Sequence, residues 1–151
     1  MILKQCVPMI ENTDNRFQWS SDFCVDVAEL DDDHKMLFEL LNHLHTIIEN
    51  GDVSALPAII DDLQQYTIYH FRHEEEMMQA CHYQYFDNHK LVHRMMEARL
   101  DEFISNPEFN NDIQAATSLL VFFENWLKDH IAGMDRSYSD CIQIKVAEDL
   151  L

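Results

Sequence analysis

An all-α fold, an antiparallel up-down-up-down four-helix bundle, is what this sequence predicts, and three observations carry the prediction. Only two glycines and three prolines occur in 151 residues, too few turn formers for many short strands and tight hairpins. Four stretches place apolar side chains every three or four residues, the spacing of one helix face. Stop signals separate these stretches after short intervals, so that each helix folds back on the one before it. The length suits one domain with a continuous core.

Residues 1–16 include Pro8, Asn12, Thr13, Asp14 and Asn15, lack periodicity and read as an irregular leader. Residues 17–151 make the bundle domain. It begins with an extended N-terminal arm, up to Leu30, whose Phe17, Trp19, Phe23, Val25 and Val27 are expected to pack across the helices. The first helix opens at Asp31-Asp32-Asp33, acids favoured at the positive end of a helix dipole, and stops at Asn50-Gly51. Its face is His34, Leu37, Phe38, Leu41, Leu44 and Ile48. The second starts near Ser54 with Pro57 in its first turn, and presents Ile59, Leu63, Tyr66, His70, Glu74, Met77 and Cys81. The third presents Phe86, His89, His93, Met96, Leu100 and Phe103 and ends before Pro107. The fourth presents Ala116, Leu119, Phe123, Trp126 and His130, and Tyr138 to Leu151 form a short docked C-terminal helix.

The formal charge of −18 argues against nucleic acid or an anionic membrane as partner, because a phosphate binder needs a cationic footprint. No run reaches the ~20 apolar residues of a membrane span, and the first residues do not resemble a secretory signal. The four cysteines, Cys6, Cys24, Cys81 and Cys141, are widely spaced without a C-x-x-C pair, which suggests neither a zinc knuckle nor a dense disulfide framework. A reducing cytoplasm is the simplest home.

The informative residues are polar ones inside the apolar stripes. His70 and Glu74 lie four apart in the second stripe, and His89 and His93 do the same in the third. Residues four apart project from one side of a helix. The first stripe adds His34 and the fourth His130. A lone histidine on a core face is usually a hydrogen-bonded core residue, but four helices each burying such groups without partners would cost about 1–3 kcal/mol per group. A shared metal site removes that penalty. Asp135 follows His130 by five residues, roughly 500° on a regular helix, so Gly133 is expected to end the helix and let Asp135 swing back over the site. Five imidazoles and two carboxylates are too many for one ion, and a set without thiolate suits two iron ions better than structural zinc. The twofold Glu-x-x-His of ferritin-like di-iron proteins and the His-Glu-x-x-His of zinc peptidases are both absent.

Four segments resemble the hemerythrin family in its order, over about residues 17 to 145. They are Leu30-Asp31-x-x-His34-Lys35-x-Leu37-Phe38, His70-Phe71-x-x-Glu74-Glu75-x-Met77, His89-x-x-x-His93, and Trp126-Leu127-x-x-His130-Ile131-x-x-x-Asp135-x-x-Tyr138. The leader is longer than the short start typical of bacterial single-domain members. The resemblance implies that His89, His93 and His130 hold one saturated iron and that His34 and His70 hold a second iron with an open position. It implies further that Glu74 and Asp135 bridge the two, with an oxo or hydroxo group as third bridge. The implied chemistry is reversible dioxygen binding, with electrons from the two Fe2+ ions giving Fe3+ and a bound hydroperoxide. Leu37, Phe71, Trp126, Leu127 and Ile131 are the apolar neighbours expected to exclude water, and small Ala132 is expected to ease access. His43, His73 and His82 are expected at the surface and His45 at a stripe edge.

The expected role is oxygen storage, delivery or buffering by a monomer that is not an enzyme and has no catalytic residue. Oxygen or redox sensing through a separate protein partner, or a di-iron enzyme handling peroxide or nitric oxide, are the alternatives.

Overall fold

The computed structural model describes residues 16–107 and 109–151, and every regular element among them is helical. Four rods, α1 (Ala28–Glu49), α2 (Leu56–Ala80), α3 (Phe86–Ile104) and α4 (Ile113–His130), make the antiparallel bundle, with α1 packed on α2 and α4, and α2 on α3. The rod of α4 runs on through a π-helical turn (Ile131–Asp135) into α5 (Arg136–Asp149), which packs on α2. The leader expected over residues 1–16 lies, apart from Arg16, outside the described residues.

The first helix starts three residues earlier than the acidic run suggests, because Asp31 is not a surface acid. Its carboxylate turns back and accepts the Val25 N–H at 2.8 Å, and Asp31 is buried. That bond ends the extended arm and starts α1. At the other end, Gly51 has φ 65°, a conformation that L side chains rarely adopt, so the predicted stop is a true glycine position. Pro57 sits in the first turn of α2, where its missing N–H costs no hydrogen bond. Asp112 caps α4 by accepting the Gln114 N–H at 2.8 Å.

Leu37, Leu41, Leu44, Leu63, Leu100, Leu119 and Phe123 form the centre of the core. The stripes fall close to their predicted positions, with Ile47 and Met78 buried where Ile48 and Met77 were expected. The arm packs as anticipated, apart from a 3-10 turn at Ser21–Phe23. Phe17 stacks on Phe38 at 3.9 Å, and Trp19 meets the same ring edge-on at 5.4 Å. Asn42 brackets the arm backbone, accepting the Phe17 N–H at 3.0 Å and donating to the Phe17 carbonyl at 2.8 Å. Two buried aromatics contribute on the order of 2–3 kcal/mol each, which is enough to hold an arm with so few backbone bonds.

One sequence expectation is corrected. Gly133 does not end the helix: the chain stays helical and absorbs one extra residue as a π turn. The widely spaced cysteines, which suggested no dense disulfide framework, include a pair that the fold joins: Cys81 and Cys141 form a disulfide across 60 residues, and Cys24 is disulfide-bonded as well. None of the described helices is long and apolar enough to cross a membrane.

Gly133 is not in the left-handed region, and a Cβ added there would meet nothing within 4 Å. Gly133→Ala should therefore stabilise the protein by about 0.5–1 kcal/mol in urea denaturation, by reducing the entropy of the unfolded chain. A loss of stability would restore the idea of a glycine stop.

Candidate metal centre

Each of the four rods contributes to a cluster in the bundle core. His34 comes from α1, His70 and Glu74 from α2, His89 and His93 from α3, His130 from the end of α4 and Asp135 from the π turn. His34, Glu74, His93 and Asp135 are fully buried, and His70, His89 and His130 nearly so. All five imidazoles turn Nε2 inward. The two carboxylates divide them: Glu74 Oε1 faces His34 (3.3 Å) and His70 (3.4 Å), while Oε2 faces His93 (3.2 Å) and His89 (3.8 Å). Asp135 repeats the division, with Oδ2 at 3.2 Å from His34 and Oδ1 at 3.1 Å from His89 and 3.0 Å from His130. The π turn makes this possible. Its wider helix brings residues five apart nearly onto one face, so Asp135 returns above His130 without a break in the chain.

Two overlapping donor sets result, each with its donor atoms within 4.8 Å of one another: Glu74, His89, His93, His130 and Asp135 in one, His34, His70, Glu74 and Asp135 in the other. His34 Nε2, His89 Nε2, Glu74 Oε2 and both Asp135 oxygens are buried without a hydrogen-bond partner. Buried polar atoms are normally paired, and each exception costs about 1–3 kcal/mol. So many orphans aimed at one spot fit cations between them, and the nitrogen and oxygen donors fit borderline divalent ions.

The sequence profile of the Hemerythrin HHE cation binding domain family matches residues 25–142. The chain belongs to the hemerythrin family. It is 31% identical over 125 residues to a bacteriohemerythrin of Stenotrophomonas maltophilia, covering 83% of this chain and 80% of that one. A bacteriohemerythrin of Pseudomonas aeruginosa is 28% identical over 130 residues, 86% of this chain and 84% of the relative. The crystal structure of a wild-type hemerythrin superposes with a TM-score of 0.74 at 27% identity, over 83% of this chain and 97% of that chain.

Around the hemerythrin-type cluster, two acidic residues orient the imidazoles from behind. His70 Nδ1 lies 3.3 Å from Asp33, and His93 Nδ1 lies 2.9 Å from Glu75. With Nε2 committed inward, these contacts assign the ring proton to Nδ1, which donates. Each donor set thus has one imidazole braced by a carboxylate. Asp33 also meets His73 (2.6 Å) and accepts from Tyr66 (3.1 Å). His73 is therefore half-buried in the support of the site, not at the surface as expected. Glu75 accepts from Arg94 at 2.7 Å, and Arg94 and Arg72 both grip Glu97.

The electrostatics follow from these contacts. Burial would raise the Asp33 and Glu75 carboxyls, but hydrogen bonds from His70 and His73, and from His93 and Arg94, bring both below their ordinary values. Burial would likewise lower His70, yet the charge of Glu74 and the hydrogen bonds of Asp33 and Glu74 push it up to about 10. The buried carboxylates thus favour positive charge beside them, and a metal ion entering the centre displaces protons.

Of the apolar neighbours expected from sequence, Leu37, Phe71, Leu127 and Ile131 are buried, and Phe71 stacks on His93 at 3.9 Å. Trp126 is half-buried and stacks on His130 at 4.3 Å. Ala132 is exposed, unlike the four buried neighbours. Two residues named in the sequence for other reasons also reach the site. Trp19 of the arm lies 6.3 Å from the His34 ring, and the Tyr138 hydroxyl donates a short hydrogen bond to Glu74 Oε1. Tyr138 is fully buried; burial and the charges of Asp135 and Glu74 hold its phenol well above the ordinary value, so it stays a donor. Its place three residues after Asp135, in the last of the family-like segments, was the signal available.

Removing the bracing carboxylates should loosen metal without unfolding the bundle. Asp33→Ala and Glu75→Ala are each expected to weaken metal retention by about 10–100-fold in chelator competition. Retention equal to the unsubstituted protein would reduce both acids to a packing role.

Proposed function

We propose that the cluster holds two iron ions and binds dioxygen reversibly, in storage, delivery or buffering. The observation that carries this reading is the unequal division of donors: five protein groups in one set, four in the other, with Glu74 and Asp135 in both. His89, His93 and His130 would hold one ion and His34 and His70 the other, the two carboxylates bridging. With one imidazole fewer, the His34–His70 ion would keep a position open to a small molecule, as reactive metal sites do. Bound there, a ferrous pair supplies the electrons for reversible dioxygen binding. The family membership and the names of the bacteriohemerythrin relatives support the same reading.

The protein's own part is positioning and exclusion. Asp33 and Glu75 fix the rings of His70 and His93, and Trp126 holds His130 by stacking. The Tyr138 hydroxyl pins the Glu74 oxygen on the His34–His70 side. Leu37, Phe71, Leu127 and Ile131 present hydrocarbon, which keeps water from the centre and favours reversible binding over turnover. Sensing through a protein partner would use the same centre.

The purified protein should contain about two irons per chain, and His89→Ala should lose metal and thermal stability together. An absorption band should grow under air and fade under argon through repeated cycles. One zinc per chain would overturn the di-iron reading, and irreversible oxidation in the first cycle would overturn the carrier role.

A further inference from the structure

The C-terminal helix α5 is held on the bundle by few contacts, and two of them join the same pair of helices. Of its 14 residues only Tyr138 and Ile142 are buried. Tyr138 reaches Glu74 on α2 through its hydroxyl. One turn further along α5, Cys141 is bonded to Cys81, which caps α2 two turns beyond Glu74. Glu74, Cys81, Cys141 and Tyr138 thus close a ring: two helix segments, one covalent bond and one hydrogen bond. Among the described residues, other polar ties of α5 run from Ser139 to the Val25 carbonyl at 2.6 Å and from Arg136 to the Ser21 carbonyl at 3.3 Å in the arm, and between Ser137 and Tyr83 in the turn before α3. None of these reaches the body of α2.

We propose that the Cys81–Cys141 disulfide is a redox-responsive clasp that sets how firmly α5 holds Tyr138 on Glu74, so that thiol reductants loosen the metal centre. The bundle core does not need this bond, because the buried faces of α1–α4 pack on one another without it. What it adds is restraint on the one helix that carries the Tyr138 donor and follows directly from Asp135. Both cysteines are half-buried, so a dithiol can reach the bond. A thiolate of the reductant attacks one sulfur to give a mixed disulfide, and its second thiol resolves that intermediate. Two electrons and two protons pass to the protein: Cys81 and Cys141 become thiols and the dithiol leaves as a disulfide. With the clasp open, the covalent restraint between α5 and α2 is gone, and the Glu74 hydrogen bond breaks more often.

The test compares the oxidised chain, the chain reduced with dithiothreitol and capped with iodoacetamide, and the Cys81→Ser/Cys141→Ser variant, which leaves Cys24 untouched. Intact mass after capping, with and without prior reduction, compared between the oxidised chain and the serine variant, should report the Cys81–Cys141 bond separately from that of Cys24 in protein purified without reductant. Amide exchange in α5 needs no metal; it should be faster in the reduced chain and in the serine variant than in the oxidised chain. Loss of iron to a chelator should accelerate about tenfold in the same two samples, within the range for supports of metal ligands. Tyr138→Phe should lose iron fast with or without the two serine substitutions, the serines adding nothing further. Unchanged α5 exchange in the serine variant would overturn the clasp, and so would additive effects of the two serines and Tyr138→Phe. The chelator arm rests on the metal reading proposed above, whereas the exchange arm does not. A chain that takes up no iron but loosens α5 on reduction would sink that reading and leave the clasp standing.

Discussion

Two carboxylates buried among five imidazoles govern this molecule. Glu74 and Asp135 are fully inaccessible to solvent, and each directs one oxygen to His34; the other oxygen of Glu74 faces the imidazoles of α3, and that of Asp135 faces imidazoles of α3 and α4. A core cannot hold such groups cheaply, since an unpaired buried charge costs far more than a buried methyl gains. The fold is arranged around that demand. Four rods are needed to bring the donors together, a π turn is needed to return Asp135 to the cluster, and a support of acids and arginines is needed to keep the rings aligned.

That support is uneven in an instructive way. His70 and His93 are braced by acids, His130 is covered by the Trp126 ring, and His34 Nδ1 has no hydrogen-bond partner. The brace on His93 belongs to a charged chain between α2 and α3, from Glu75 through Arg94 to Glu97 and Arg72. The brace on His70 ties α1 to α2 through Asp33, with His73 and Tyr66 on the same carboxylate. Orientation of the donors is thereby coupled to helix pairing, so a change at a helix seam reaches the centre through hydrogen bonds rather than through packing alone.

The bundle and its donors were legible because helical periodicity is strong: His70 and Glu74, or His89 and His93, stand out only because the positions around them are apolar. Contacts set by tertiary geometry were not. Asp33 and His73 lie 40 residues apart and each looks like a surface residue on its own helix. Tyr138 meets Glu74 across 64 residues, and Cys81 meets Cys141 across 60. Asp135 was found, but by the wrong route. A spacing of five suggested a broken helix, whereas the backbone widens locally and continues, which no residue-by-residue propensity encodes.

The placement of the aromatic arm has a further consequence. The chain contains two tryptophans, and the fold sets one beside each donor set: the Trp19 indole is 6.3 Å from the His34 ring, and Trp126 is stacked on His130 at 4.3 Å. Trp19 arrives from the arm and Trp126 from α4, in unlike surroundings: one buried beneath Lys35, the other half open to water. The molecule therefore carries two native optical probes whose emission samples separate halves of one centre. Replacing either by phenylalanine leaves a single lamp, through which filling or emptying of its own half can be watched in solution.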